Sequence, residues 1–448
     1  MGTPVRRVVL VDLYWTRDKD PRVPLGHASL LAALQARTRA DVRSVVLAVN
    51  APGTGADAVV RAILGAADDL GPGEVDVAIG VYVWNEALVQ ALLPALRSAG
   101  FQGRIVLGGP QISYAGAGVD RLYPDADAFV RGPGEEALAA LVLNAGEATL
   151  PGIHFQGEPD RTRQATVSLA SLPSPWLDGV IPLEGQRFIR WETQRGCQFA
   201  CTFCQHRDAG AGRAVRRFPM DRLLQEIDLF CRAGVEEIAV LDPVFNQGAA
   251  VEILRAFAER GFTGRLSLQC RAELVDHAFL DAAERLDVAL ELGLQTIEPR
   301  EFLAVGRPNH LKKIDLVLAE LRHRRIHHEV SLIFGLPEQT LRSFLETVRW
   351  CLDRQVPVIR AFPLLLLRGT ALERDRARWG LVTDGGPMEM AVESTTFRRA
   401  DWEAMARVSQ ALQLTEGRHP RRLDELLERS EAMEPDRSRW QVRAEVSP

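Results

Sequence analysis

Short apolar runs alternate with segments of helical spacing along nearly the whole of this chain, in two successive series. The first series places strands at Val8–Leu13, Val42–Val49, Val75–Tyr82, Arg104–Leu107 and Ala128–Val130. Helices fall between them at Ala28–Arg37, Ala58–Ala67 and Glu86–Ser98, and Gly132-Pro133-Gly134-Glu135-Glu136 opens another. Buried strands that alternate with amphipathic helices predict a parallel sheet covered on both faces. Residues 1–150 are therefore expected to form a Rossmann-like, doubly wound α/β domain. Ligands of such sheets lie at the carboxyl ends of the strands, where loops enter helix N-termini.

Residues 151–187 break this rhythm, and Leu172-Pro173-Ser174-Pro175-Trp176 with nearby turn residues reads as a linker. The second series starts with a strand at Phe188–Glu192. It continues at Glu237–Leu241, Arg265–Cys270, Val288–Leu294, His328–Phe334 and Val358–Leu367, with helices near Met220–Ala233 and Ala249–Arg260. Strand–helix units over residues 188–375 predict a partial (β/α)6 barrel of the TIM type, with its chemistry at the C-terminal face. Residues 376–448 read as a small helical C-terminal region (Asp401–Glu416, Arg421–Glu431) ending in a polar tail.

Directly after the first strand of the second series comes Arg195-Gly196-Cys197-Gln198-Phe199-Ala200-Cys201-Thr202-Phe203-Cys204. Three cysteines at CX3CX2C spacing can bind three corners of a [4Fe–4S] cube and leave one iron open to a small molecule. The amino and carboxylate groups of S-adenosylmethionine (SAM) suit that open iron. The alternative is a structural zinc site with His206 as fourth ligand. Zinc sites usually pair two cysteine knuckles, whereas Cys231, Cys270 and Cys351 stand alone in apolar patterns. His206 reads either as an acid or base beside the cluster or as a solvent-facing residue. His323, His327 and His328, flanked by Arg322, Arg324 and Arg325, read as a solvated helix end.

The totals bound the rest. A chain of 448 residues is long enough for two to three domains. A net charge of −5 supplies no basic field and disfavours nucleic acid as a partner. No run of about 18 apolar residues marks a membrane span. The start, Met1-Gly2-Thr3-Pro4-Val5-Arg6-Arg7, leads straight into a strand rather than a signal peptide. Six cysteines, three of them in one short loop, do not make a disulfide scaffold. The expectation is a cytoplasmic, oxygen-sensitive protein.

Further motifs accompany the cysteine loop. Trp191-Glu192-Thr193-Gln194-Arg195-Gly196 precedes it and aromatic Phe203 stands directly before the last cysteine. Leu172-Pro173-Ser174-Pro175 lies upstream, with Asp242 to Asn246, Gly293-Leu294-Gln295-Thr296 and Leu332-Ile333-Phe334-Gly335-Leu336-Pro337 downstream. In order and spacing the chain resembles the cobalamin (B12)-binding radical SAM enzyme family over about residues 5–375. The resemblance implies that Cys197, Cys201 and Cys204 hold a [4Fe-4S] cluster. It further implies SAM contacts from Phe203, Asp242, Arg271, Glu273, Gln295, Gly335 and Pro337. Asp242 stands where most members carry Gly-Gly-Glu, and its other reading is a plain turn residue. Gly335-Leu336-Pro337 has a similar alternative as a strand-ending turn.

In the first domain the resemblance rests on Pro24-Leu25-Gly26, Leu107-Gly108-Gly109-Pro110 and Val130 to Glu136. It implies cobalamin contacts from Gly26, Trp84, Gly108, Gly109, Pro110, Gly132, Gly134 and Glu135. Asp12 ends the first strand but residue 14 is Tyr, so the Asp-x-His-x-x-Gly motif with its cobalt-binding histidine is missing. Two states of the domain stay open: one holding cobalamin without a histidine ligand, and one emptied and structural. The implied activity is methylation of an unactivated carbon in a small-molecule, natural-product or peptide substrate. One SAM would methylate cobalamin, and a second would yield a 5′-deoxyadenosyl radical. Electrons would come from an external donor of flavodoxin or ferredoxin type. The same architecture also serves rearrangement, cyclisation and aminocarboxypropyl transfer, and a non-enzymatic sensor with a zinc-stabilised barrel is the third reading.

Overall fold

The computed structural model describes residues 6–17, 19–20, 23–67, 74–144, 151–206, 214–431 and 433. The predicted polar tail lies outside them. The chain divides into two compact units, one up to Gln186 and one from Arg187 to Gln441.

In the first unit, β1 (Arg7–Tyr14), β2 (Asp41–Ala48), β3 (Val75–Gly80), β4 (Arg104–Gly108) and β5 (Ala128–Val130) are joined by α1 (Leu25–Arg37), α2 (Ala56–Ala67) and α3 (Glu86–Ser98). A fourth helix, α4 (Gly134–Asn144), follows β5. The sheet order is β2-β1-β3-β4-β5, all parallel, which is the predicted doubly wound arrangement. Successive residues of a strand point to opposite faces, so β1 feeds two cores. Val9, Val11 and Leu13 pack with Val59 and Ile63 of α2 and Val89, Leu92 and Leu96 of α3. Val8 and Leu10 pack with Leu34 of α1 and Leu138, Leu141 and Val142 of α4. This continuous apolar run is what a strand buried on both faces requires.

The segment read as a linker also contributes to this sheet. A further strand, β6 (Ile153–Phe155), adds antiparallel to β5. Three residues give no measurable period, which is why the pattern did not reveal it. Leu172 and Trp176 of the Pro-rich stretch are buried.

The second unit holds six parallel strands in sequential order: β7 (Phe188–Trp191), β8 (Glu237–Val240), β9 (Arg265–Cys270), β10 (Asp287–Gln295), β11 (His327–Phe334) and β12 (Val358–Pro363). Helices Met220–Ala233, Ala250–Glu259, His277–Ala283, Leu311–His323 and Leu341–Asp353 connect them. Every strand end therefore opens on one face, as in the predicted partial barrel. Strand ends shift by one or two residues from the sequence reading at several places, and two differences are larger. β12 stops at Pro363 because Leu365 turns aside to bridge Met390 and the Leu366 N–H donates to Glu389 O. The region after residue 375 contains a small hairpin (Val382–Thr383 with Ala391–Glu393) as well as helices Arg399–Leu414 and Leu423–Glu431. Among the described residues no helix is long and apolar enough to cross a membrane.

Candidate functional site: the cysteine loop and the strand ends around it

The chain leaves β7 through a neck. Gln194–Arg195 pairs antiparallel with Arg216–Arg217, and the cysteine loop lies between the two arms. At the neck Gly196 has φ +92°, and a Cβ there would come within 2.2 Å of Ala214 O. Only glycine fits, because L-residues are disfavoured at positive φ and the space is filled by backbone. From the other sides, Thr202 N–H donates to Val305 O at 2.9 Å, and Leu372 N–H donates to Thr202 O at 2.9 Å. The loop is thus held by segments far away in sequence.

Cys201 is buried, and Cys197 and Cys204 are half-buried. Burial pushes the Cys197 thiol up, and it pushes Cys204 up to about 11, with each thiol raised further by its cysteine neighbours. Arg307 works against this at both thiols. A metal bound here would have to displace these protons, because the thiolate is the ligand. Among the described residues no three His, Cys, Asp or Glu side chains converge as ligands of one ion do. Three cysteines within eight residues of one loop supply three thiols and no fourth, the donor set of a cluster with one open iron. His206 is exposed. The residues present therefore fit a [4Fe–4S] group.

The predicted SAM contacts fall into two groups. Asp242 is fully buried, and its carboxylate accepts from Thr193 N (2.8 Å), Gln194 N (3.2 Å) and the Thr193 hydroxyl. It clamps the strand that leads into the cysteines, which is the turn-residue reading. Burial raises it to about 6, against the hydrogen bonds that lower it. Arg271, at the end of β9, lies over the Phe199 ring with its guanidinium carbon 4.0 Å from the centroid. It also reaches Glu273 and Pro308 O. Burial pushes the Glu273 carboxyl up, but Arg271 outweighs it and holds the group below the usual carboxylate range. Asn246 fixes the end of β9 by exchanging hydrogen bonds with the Arg271 backbone at 2.8 and 3.0 Å.

Gln295 sits at a register shift in β10, with φ +67° and a buried Oε1 that has no partner. Strain and an unmet acceptor in one residue are the marks of a position kept for a ligand. Gly335 has φ +88°, and its N–H and that of Leu336 donate to Gln339 Oε1 at 2.7 and 3.2 Å. Pro337 is buried beside them. Phe203 packs into the same apolar cluster as Leu336, Leu364 and Leu372, which brings the cysteine loop and the Gly335 turn to one core. Thr202 Oγ1, Glu301 Oε1, Arg307 Nε and Asn309 Oδ1 are also buried without partners. Unmet polar atoms thus gather near the ends of β7 and β10.

Sequence reasoning missed Phe199, Asn246, Glu301, Arg307 and Gln339. For Arg307 the available signal was the Gly306-Arg307-Pro308 turn, which by itself says nothing of a partner.

In the first unit, the predicted cobalamin contacts lie at or just beyond the carboxyl ends of β3, β4 and β5 and at the start of α1. Trp84 stacks on Tyr82 (4.5 Å, 10°) and donates from Nε1 to Leu13 O at 3.2 Å. Gly109 (φ +91°) and Gly132 (φ +81°) are demanded by the protein itself, since a Cβ would strike Val81 O at 2.7 Å and Ala165 O at 2.8 Å. Gly26 and Gly108 have more room, with nearest atoms at 3.6 Å. Pro110 opens a single helical turn, Gly134 touches Leu30, and Glu135 is buried at the start of α4. Asp12, raised by burial to about 6, interrupts the apolar run of β1 between Val11 and Leu13. His27 is buried, with Nε2 2.9 Å from Ser44 Oγ. A flat aromatic pair beside Gly26 fits a large planar cofactor, and Tyr14, standing where the motif histidine would, has no nitrogen to offer a metal.

Residues 191–351 match the model of the Radical SAM superfamily. The structure resembles the radical SAM methyltransferase TsrM from Kitasatospora setae, solved with cobalamin and a [4Fe-4S] cluster, with a TM-score of 0.71 at 16% identity over 95% of this chain and 99% of that one. It also resembles OxsB, solved with aqua-cobalamin and S-adenosylmethionine, with a TM-score of 0.71 at 17% identity over 95% and 70%. In sequence it is 28% identical to the 2-(S-pantetheinyl)-carbapenam-3-carboxylate methyltransferase of Streptantibioticus cattleyicolor. It is 27% identical to the cobalamin-dependent radical SAM methyltransferase TokK of Streptomyces tokunonensis. Each alignment takes in 61% of this chain and only 44% of the relative.

Proposed function

We propose that this protein is a cobalamin-dependent radical SAM methyltransferase acting on an unactivated carbon of a small-molecule or natural-product substrate. The observation that carries the reading is the cysteine loop. Its Thr202 backbone is pinned between Val305 and Leu372, and Phe203 packs in the same apolar cluster as Leu336. When bound, the cluster with SAM supplies a carbon-centred radical, and cobalamin supplies the methyl group.

The protein's own residues bind and orient. Cys197, Cys201 and Cys204 hold the cluster. Phe203, Gly335 and Pro337 form the apolar edge suited to adenine, and Gln295 offers its unmet acceptor to a ribose hydroxyl. Arg271 and Glu273 present paired charge for the amino-acid end of SAM or for substrate. In the first unit, Trp84 with Tyr82, together with Gly26, Gly108, Gly109, Pro110, Gly132, Gly134 and Glu135, would seat cobalamin. Reducing electrons come from a flavodoxin or ferredoxin type of donor.

The test is product analysis. Anoxically reconstituted protein, given SAM, cobalamin, a low-potential reductant and a pantetheinyl-carbapenam of the kind named for one relative, should release both S-adenosylhomocysteine and 5′-deoxyadenosine. Methylthioadenosine alone, or 5′-deoxyadenosine without S-adenosylhomocysteine, would replace methyl transfer by a different SAM reaction.

A further inference from the structure

We propose that Arg307 sets the reduction potential of the iron–sulfur cluster through the sulfur of Cys201. This rests on the cluster reading above and goes beyond it, because Arg307 is not one of the cluster or SAM contacts inferred from the motifs.

The local chain geometry brings this side chain to the loop. Val305 O accepts the Thr202 N–H at 2.9 Å, so residues 305–307 run directly against Ala200 to Thr202. Gly306, with φ +62°, makes the approach possible, since a Cβ there would meet Ala200 O at 2.9 Å. The next residue is Arg307, which is buried. Its Nη1 lies 3.6 Å from Cys201 Sγ, its Nη2 donates to Gly293 O, and its Nε has no partner. The planar fork of a guanidinium can hold a sulfur and a carbonyl at once, which a lysine ammonium cannot do in the same way. A buried cation held this way remains beside the sulfur because Gly293 O anchors its other arm.

The consequence follows from charge. Reduction adds one electron to the cluster from an external low-potential donor, with no bond made or broken. A positive donor at a ligand sulfur stabilises the more negative, reduced state and so raises the potential. Arg307 is in this sense a positioning residue that acts through Cys201.

The experiment is an EPR-monitored potentiometric titration of the full chain, reconstituted anoxically with iron and sulfide and without SAM. Wild type, R307K and R307Q are compared at equal iron content, with folding checked by circular dichroism. R307Q should shift the reduction equilibrium tenfold toward the oxidised cluster, a fall of about 59 mV for one electron. R307K should fall between the two. Equal potentials in all three proteins would overturn the inference and leave the cluster reading standing. Variants that fold but take up no iron would overturn it too, since the arginine would then serve assembly. A wild type that takes up no iron would remove the cluster reading itself.

Discussion

Replacing Asp242 separates two roles that the sequence could not, a contact to SAM and a clamp on the loop entrance. Three donors converge on this carboxylate: Thr193 N, Gln194 N and the Thr193 hydroxyl. In D242A each buried donor loses its acceptor, at about 1–3 kcal/mol apiece. Removing a buried, ionised carboxylate offsets up to about 3 kcal/mol of this at neutral pH. Three donors at the middle of that range cost about 6 kcal/mol, and taking off about 3 leaves a net loss of about 3 kcal/mol, inside the range of buried-network mutations. D242N keeps an oxygen for the backbone donors and should stay within about 1 kcal/mol of wild type at pH 7.

The pH dependence has a definite sign. The folded state raises Asp242 to about 6, above the unfolded carboxylate, so it binds the proton more tightly. The stabilising contribution is complete below about pH 4 and is lost as pH rises through about 6. Urea midpoints measured by circular dichroism between pH 4 and 7 should show this fall in the wild type, and the wild-type minus D242N difference should carry it. If D242A unfolds at the same urea concentration as wild type while its SAM affinity drops, Asp242 faces the cofactor and the clamp argument is wrong.

The other predictions concern the cluster and the first unit. G196A must adopt a positive φ, at about 1–2 kcal/mol, and overlap Ala214 O. It should bind less iron per chain on reconstitution, and full iron uptake would show that the neck does not shape the loop. Alanine at Cys197, Cys201 or Cys204 should abolish the iron–sulfur charge-transfer absorption and all SAM cleavage, whereas C231A should leave both intact. W84A removes the stack on Tyr82 and the bond to Leu13 O. Its retention of cobalamin through gel filtration should weaken by about tenfold, or ~1.4 kcal/mol, with iron content unchanged; an unchanged cobalamin spectrum would exclude Trp84 from the cofactor face.

Much of this molecule is local and therefore visible in the chain itself. The placement of β1 to β5 and β7 to β12 follows from apolar runs that must be buried on both faces, and the cysteine spacing is a property of ten consecutive residues. The family motifs, likewise contiguous, named Phe203, Gln295 and Gly335 before any geometry was known. What lies outside local pattern needed the folded chain. β6 is too short to carry a period, and its partner β5 is chosen by an open sheet edge. Asp242 looks the same in sequence whether it meets a ligand or Thr193, and only the folded chain brings Thr193 and Gln194 to its carboxylate. Gly109 and Gly132 read as ligand-facing glycines, yet the carbonyls that demand them, from Val81 and Ala165, belong to other segments. Arg307 reaches Cys201 only because Val305 and Gly306 close against a loop 100 residues earlier. A sequence states which groups are available; chain closure over long separations fixes which of them touch, and the charge, strain and unmet hydrogen bonds of the site arise from those contacts.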